Sequence, residues 1–390
     1  MKLNPKYLNN DIFIEKIEGF ALSSSYGNNK VFGQPKGLKS IGFVSIKTNN
    51  SIEGFGETYS GIYVPELIKP IIDFFKLKIE GKNLVFVMKN IDKFFDIPFV
   101  GFSGLLQSIK SAFYFACLDV LSKSIKVPIY KMYDSELKPV KVYVSGGSVT
   151  FSPDEIYNDC VKLKEIGFLK YKMRIGLKSL KEDILRIERA IEVFGNNNNV
   201  IVDLIQGTLK SNFTNNEYEN LFRELNNFKL DWVEEPVEPW NINKLNKIKN
   251  LSKNKIATGE AYSGLVHFKE LINKKYIDII QYDLTHSGDF NTCFQISNIA
   301  KQNTVDEVLH VWGSSLALNS NLVFSLINNN IKIVEIPSVA FNMSKDINSI
   351  SSKIDNGELI FNHEFLGGGV NINSKIKLKY SFVNNTGYSI

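Results

Sequence analysis

The sequence predicts an α/β protein: a barrel of parallel strands joined by crossover helices, preceded by a smaller α+β segment. Three observations carry that expectation. From about Lys141 onward, short β-branched runs alternate with longer amphipathic stretches, as in a parallel sheet with helical crossovers. There are eight such runs, and eight units close naturally into a barrel. Before residue 125 the pattern is different, and 390 residues are too many for one ordinary domain but comfortable for two.

In chain order, residues 10 to 60 hold short apolar runs such as Ile41 to Ile46, ended by Asn49 and Asn50, which read as antiparallel strands joined by turns. Residues 65 to 124 have helical spacing, with Leu105, Ile109, Ala112, Phe113, Ala116, Cys117 and Val120 along one face. The eight barrel strands are expected at Val142–Val144, Tyr171–Met173, Val200–Val202, Trp232–Val233, Ile256–Ala257, Ile277–Ile280, Val305–Leu309 and Ile331–Val334. The asparagine run 196–199 reads as a loop. From Ser344 the chain returns to short strands and turns, expected to pack back on the first domain. The triple glycine 367–369 reads as a plain turn, because no lysine motif or helix start follows it to make a phosphate loop.

Composition narrows the function. Hydrophobic residues make up 44% and charged residues 22%, the balance of a soluble globular protein. No apolar run reaches the length of a membrane helix, and the first residues carry no signal-peptide pattern. Cys117, Cys160 and Cys293 are odd in number and far apart, so neither a disulfide framework nor a zinc site is expected, and a cytoplasmic location is. Net charge is +5, but the lysines are spread rather than striped among aromatics. Nucleic acid and membranes are therefore not expected partners, and a small anionic substrate is.

The chemistry lies at the strand ends. Lys172 and Arg174 close the second run and Asp203 the third. Glu234 and Glu235 follow at the fourth, Glu260 at the fifth, Asp283 at the sixth, His310 at the seventh and Glu335 at the eighth. Successive positions are 23 to 31 residues apart, about one strand-plus-helix unit each. A barrel brings such ends to one mouth, where active sites of this architecture are built. Asp203, Glu234 and Glu260 are hard oxygen ligands that would repel one another without a divalent cation, and magnesium prefers that set. Asp283 beside His310 fixes the tautomer of a competent base. A metal and the cations Lys172 and Arg174 facing that base suit an enediolate formed from a carboxylate substrate.

Taken together, these stretches resemble the enolase superfamily, and within it the mandelate racemase and muconate lactonizing group. The resemblance rests on Gly54-Phe55-Gly56-Glu57, on Ala116-Cys117-Leu118-Asp119 with Lys123 and Val127-Pro128, and on the barrel segments Tyr171 to Gly176, Val202-Asp203, Trp232 to Pro236, Thr258 to Glu260, Asp278 to Asp283 and His310 to Gly313. It implies a modified TIM barrel, (β/α)7β, at residues 126–343. An α+β capping domain would be formed by residues 1–125 together with the tail 344–390. It implies Mg²⁺ on Asp203, Glu234 and Glu260, with Glu235 behind them, His310 and Asp283 as base and partner, Glu335 on a substrate oxygen, and a homo-oligomer, dimer or octamer. His310-Val311-Trp312-Gly313 is similar to the acid-sugar branch.

Two departures bear on the substrate. Where relatives often carry a second lysine that acts as a base, Gly176 sets the register so that Arg174 stands there, and arginine keeps its proton. Where many relatives carry an asparagine, this chain has Ile205, with Gln206 beside it. Substrate contacts are expected from two capping loops, Ser23 to Lys36 and Thr58 to Tyr63, through Tyr26, Lys36 and Tyr59, and from Gln206, His286 and Trp312. The implied reaction is dehydration of an aldonic or aldaric acid to a 2-keto-3-deoxy acid. The alternatives are a cycloisomerase of a sugar-acid lactone or anhydro sugar acid, a racemase, or a non-catalytic binding protein.

Overall fold

The structure, a computed structural model, describes residues 2–8, 11–27, 33–211 and 213–389. Three strands open it: β1 (Ile14–Ser25), β2 (Leu38–Thr48) and β3 (Glu53–Thr58), an antiparallel sheet in the order β1-β2-β3. Against it lies the helix Leu105–Ile125. The sequence suggests one apolar face for this helix, yet every residue from Gln107 to Ser122 is buried. It packs on β3 and β2 on one side and on the barrel helix Phe290–Gln302 on another, so it has no solvent face to make polar.

The close fit of β3 to that helix explains Gly54 and Gly56. A Cβ on Gly56 would lie 1.8 Å from the carbonyl oxygen of Ala112, and one on Gly54 would lie 2.6 Å from that of Ala116. Glycine in a strand interior marks such an approach of two backbones. Asp119 then ties the layers, accepting from Phe55 N at 2.8 Å and from Gly368 N at 2.8 Å. Gly56→Ala is expected to cost the upper end of about 1–3 kcal/mol, because neither backbone can yield. The check is a lower urea midpoint with unchanged m-value; an unchanged midpoint would count against this fit.

Eight parallel strands follow: β4 (Val140–Ser145), β5 (Tyr171–Arg174), β6 (Val200–Asp203), β7 (Trp232–Glu234), β8 (Lys255–Thr258), β9 (Ile279–Tyr282), β10 (Asp306–Leu309) and β11 (Ile331–Pro337). Each pairs with the next, and β11 pairs with β4 to close the barrel. The helices Pro153–Ile166, Leu180–Phe194, Asn215–Leu225, Ile242–Leu251, Leu265–Asn273, Phe290–Gln302 and Ser315–Ile327 cross between them. Two of these start at capping boxes, Ser152 with Glu155 and Thr214 with Glu217. Each expected strand is present; the one expected from Ile277 begins at Ile279, after Asp278 has turned its carboxylate to Lys249 and to Ile256 N.

Side chains alternate faces along a strand, so residues two apart share the barrel interior. Tyr143, Ile201, Trp232, Ala257, Ile279 and Val308 form a separate buried apolar cluster with Ile333 packed on it. Two residues further along those strands stand Ser145, Asp203, Glu234, Gly259, Gln281, His310 and Glu335. The apolar cluster is the floor and the polar ring sits directly above it. A hairpin, β12 (Ser352–Asp355) with β13 (Glu358–Phe361), then pairs antiparallel with β4. Beyond it the chain turns at Gly367 to Gly369, where Gly367 N donates to Ser122 Oγ, and its end lies against β1 through Ser381 and Val383. Among the described residues no helix is long and apolar enough to cross a membrane, and the three cysteines are buried and free.

Candidate active site

The strand ends build one cavity of about 340 Å³. Lys172, Arg174, Asp203, Glu260 and His310 line it; Glu234, Glu335 and Asp283 lie just beneath, fully buried. Lys172 is at the centre. Its Nζ is 3.2 Å from Asp203 Oδ2 and 3.3 Å from Glu335 Oε1, and it pairs with Glu234 Oε1. Burial opposes its charge, but Glu234, Glu335 and Asp203 outweigh burial and raise its pKa well above the usual lysine value. Lys170, two residues earlier, is at the other end of the strand with Asp231 (2.5 Å), outside the site.

Arg174 is clamped rather than free. Nη1 donates to Gly146 O and Nη2 to Ser145 Oγ, both at 2.9 Å, and Nε is 3.9 Å from Asp203 Oδ2. Glu335 Oε2 accepts from Val311 N at 3.0 Å. Burial works against its charge, yet Lys172, His310 and Arg174 hold its pKa down at about 2.

His310 Nδ1 is 3.0 Å from Asp283 Oδ2, which leaves Nε2 toward the cavity, 3.4 Å from Glu260 Oε2. Asp283 is itself fixed: its Oδ1 accepts from Thr285 N (2.8 Å), Thr285 Oγ1 (2.8 Å) and Asn321 Nδ2 (3.1 Å). Burial alone would depress the imidazole pKa; Glu260, Glu335 and Asp283 together lift it to about 10.

Three carboxylates from neighbouring strands face this pair. Burial pushes the Asp203 pKa up to about 6, against the pull of Lys172, and pushes that of Glu260 well above the carboxylate range. Glu234 Oε2 accepts from Trp232 Nε1 at 3.0 Å and Gln281 Nε2 at 2.8 Å. Glu235 points away, taking hydrogen bonds from Thr258 Oγ1 and Gly259 N. As the side chains stand, no three His, Cys, Asp or Glu groups among the described residues form a ready cation cage. Lys172 draws Asp203 and Glu234 to itself, and His310 draws Glu260.

The donor chemistry nevertheless fits a hard divalent cation. Glu260 Oε2 is buried without a hydrogen bond. The carboxylates of Asp203, Glu234, Glu260, Asp283 and Glu335 outnumber the cations Lys172, Arg174 and His310 in one enclosed space, so positive charge is in deficit. Backbone strain sits beside the same ligands. Ile205, a β-branched residue, has φ of 40° and Glu235 has φ of 44°. The left-handed turn at Ile205 aims its N–H at Asp203 Oδ1, 2.7 Å away.

Of the residues expected at the substrate, Tyr26, Tyr59 and Trp312 line the cavity, with Trp312 Nε1 donating to Tyr26 OH at 3.0 Å. Lys36 does not: its Nζ reaches Asn384 O at 3.1 Å, away from the cavity. Residues 28–32 of the loop expected from Ser23 to Lys36 lie outside the described residues. Gln206 is not on a strand but opens a helical turn, and its amide is used on Leu204 O and Ser211. Ile205 lines the cavity instead. His286 stands behind Tyr59, ring centroids 5.3 Å apart, and burial lowers its pKa to about 4.

Tyr63, at the end of the loop expected from Thr58, lines the cavity too, whereas the sequence did not flag Ser145, Ser148, Lys162 or Tyr388, which also line it. Ser145 is at the end of the first barrel strand, where strand position alone could have found it. Nothing local marks Tyr388, which reaches the mouth from the chain's far end. Lys39 was missed as well. It is buried between the Tyr26 and Trp312 rings, 4.6 and 4.1 Å from their centroids, and donates to Trp312 O at 2.9 Å. Burial lowers its pKa to about 7.

A family model described as "Enolase C-terminal domain-like" matches residues 156–376, more than half of the chain. An arabinonate dehydratase from Saccharolobus solfataricus is 24% identical over 330 residues, covering 81% of this chain and 84% of that protein. The crystal structure of a 3,6-anhydro-D-galactonate cycloisomerase from Zobellia galactanivorans superposes with a TM-score of 0.81 at 22% identity, over 94% of this chain and 99% of that one. A racemase from Streptomyces coelicolor A3(2) with bound magnesium has a TM-score of 0.80 at 18% identity, over 94% and 99%.

Proposed function

We propose, from the premise that this chain belongs to the enolase superfamily, that it is a magnesium-dependent dehydratase of a sugar acid, aldonic or aldaric. The product is a 2-keto-3-deoxy acid. One observation carries the reading. His310, oriented by Asp283, faces Lys172 and Arg174 across a cavity that also holds Glu260, whose Oε2 has no hydrogen bond.

Asp203, Glu234 and Glu260 would hold the ion, which supplies a Lewis acid that stabilises charge on the substrate carboxylate. Lys172 adds a fixed positive charge beside the same carboxylate, and it is locked in place by three acids. Arg174, held to Ser145 and Gly146, does the same from the rim. His310 Nε2 takes the α-proton, and Asp283 holds the ring so that Nδ1 keeps its own. With Arg174 unable to accept a proton, one base serves one face, which argues against racemisation.

Support for the sugar-acid class comes from the arabinonate dehydratase. A second reading, cycloisomerisation, is favoured by the aromatic wall of Tyr59, Tyr63, Trp312 and Tyr388, whose flat faces suit a cyclic sugar acid. The test is keto-acid release from a panel of aldonic and aldaric acids and their lactone and anhydro forms, with and without Mg²⁺. Dehydration loses one water, whereas cycloisomerisation conserves mass. We expect a magnesium-dependent keto acid with water lost. No turnover on the whole panel would reject both readings.

A further inference from the structure

Expelling the β-hydroxyl requires a proton, since it leaves as water far more easily than as hydroxide. Building on the dehydratase reading above, we propose that the phenol of Tyr59 supplies that proton, and that Tyr63 restores it.

The residues around the base leave few other donors. Lys172 is held by three carboxylates and Arg174 by two oxygens. The indole N–H of Trp312 is used on Tyr26. Tyr59 is placed differently. It follows β3 directly, and its backbone N donates to Thr285 O at 3.0 Å, which fixes it to the loop after Asp283. Its ring meets that of His310 edge-on, centroids 5.7 Å apart, and lines the same cavity as Glu260, Lys172 and Arg174. It is 7% exposed. Among the described residues, the hydrogen-bond partner of its hydroxyl is that of Tyr63, at 3.5 Å, the outer limit of a hydrogen bond. The proton therefore has no strong acceptor in the protein. Burial, and then Tyr63 and Glu260, keep the phenol protonated. Tyr63 lines the same cavity and so connects the hydroxyl of Tyr59 to it.

The step balances as follows. His310 Nε2 takes the proton from Cα, and the C–H electron pair enters the enediolate. Collapse of the enediolate forms the Cα=Cβ bond and breaks the Cβ–O bond. The departing oxygen takes the proton of Tyr59 and leaves as water. The enol then becomes the keto acid: its O–H proton returns to the phenolate through Tyr63, and Cβ takes a proton from His310. Because Tyr59 and His310 are in contact, proton removal and proton delivery share one face, and elimination is syn.

The experiment uses an aldonic acid that the wild type dehydrates, together with its 3-deoxy-3-fluoro analogue, whose fluoride leaves without a proton. For Tyr59→Phe we expect dehydration to fall by about 100-fold or more. Exchange of the α-hydrogen with D₂O and fluoride release should both stay within about threefold of wild type, with the melting temperature unchanged. A smaller loss of dehydration would show that His310 delivers the proton itself, and would overturn the proposal. Parallel loss of exchange or fluoride release would also overturn it, by showing that Tyr59 serves binding or positioning. A wild type that dehydrates no member of the panel fails at an earlier step and rejects the dehydratase reading itself.

Discussion

His310→Asn is expected to lose turnover and α-hydrogen exchange together, by about 10⁴-fold, while Mg²⁺ affinity is kept. The geometry makes this a sharp expectation. His310 Nε2 faces the cavity; the other basic side chains lining it are Lys172 and Arg174 at the strand ends and Lys162 on the helix Pro153–Ile166. Arg174 holds its proton at any working pH. Lys172 Nζ is turned to three acids, Asp203, Glu234 and Glu335, whereas His310 Nε2 meets one, Glu260, and a cation held by Glu260 would withdraw the carboxylate that does most to keep the imidazole protonated. Asparagine removes the pairing of the imidazole with Glu260 Oε2 but leaves all three carboxylates, Asp203, Glu234 and Glu260, in the site. Asp283→Asn is expected to follow to a lesser degree, because an amide can offer Nδ1 a donor and so favour the wrong tautomer. The measurements are deuterium incorporation by NMR and Mg²⁺ titration by calorimetry. Exchange at the wild-type rate in His310→Asn would make Lys172 the base and sink the assignment.

Why could a ring from seven strands be read in one dimension? Two periodicities coincide. Alternation along each strand puts every second residue inside the barrel, and the strand-plus-helix repeat returns the chain to the mouth every 23 to 31 residues. Asp203 pairs in register with Arg174 on one side and Glu234 on the other, so neighbours in the ring are neighbours in the sheet. Parity alone did not separate Lys170 from Lys172, because both face inward and only height along the barrel axis differs; Asp231 holds Lys170 at the lower end. Gln206 was misplaced because the strand ends at Asp203, and the left-handed turn at Ile205 sends the next side chain back into the protein. Lys36 is expected at the substrate from its place in the first capping loop, but its fold partner, Asn384, comes from far along the chain. Contacts such as this, or Tyr388 at the cavity mouth, depend on how the tail is routed, and no local pattern encodes that.

Glu260→Gln, Asp203→Asn and Glu234→Gln are each expected to abolish turnover, with a loss of Mg²⁺ affinity that folding does not explain. Of the three, Glu260 is the most informative. Its Oε2 has no hydrogen bond but lies 3.4 Å from His310 Nε2, so an amide there gives up that ion pair and removes a charged oxygen from the site. Glu234 differs, since its Oε1 pairs with Lys172 and its Oε2 takes two hydrogen bonds; Glu234→Gln should also lower the melting temperature. Glu235 supplies the contrast. It is buried and has the same side chain, and its Oε2 likewise lacks a hydrogen bond, but its Oε1 is taken by Thr258 and Gly259 N rather than by a cation of the site. Glu235→Gln is therefore expected to cost about 10- to 100-fold, as for a residue that supports ligands without being one. Calorimetric Mg²⁺ titration of the four variants, with far-UV circular dichroism as a control for folding, gives the ranking. Unchanged Mg²⁺ affinity in folded Glu260→Gln, or full activity after exhaustive chelation, would remove the metal from the reading.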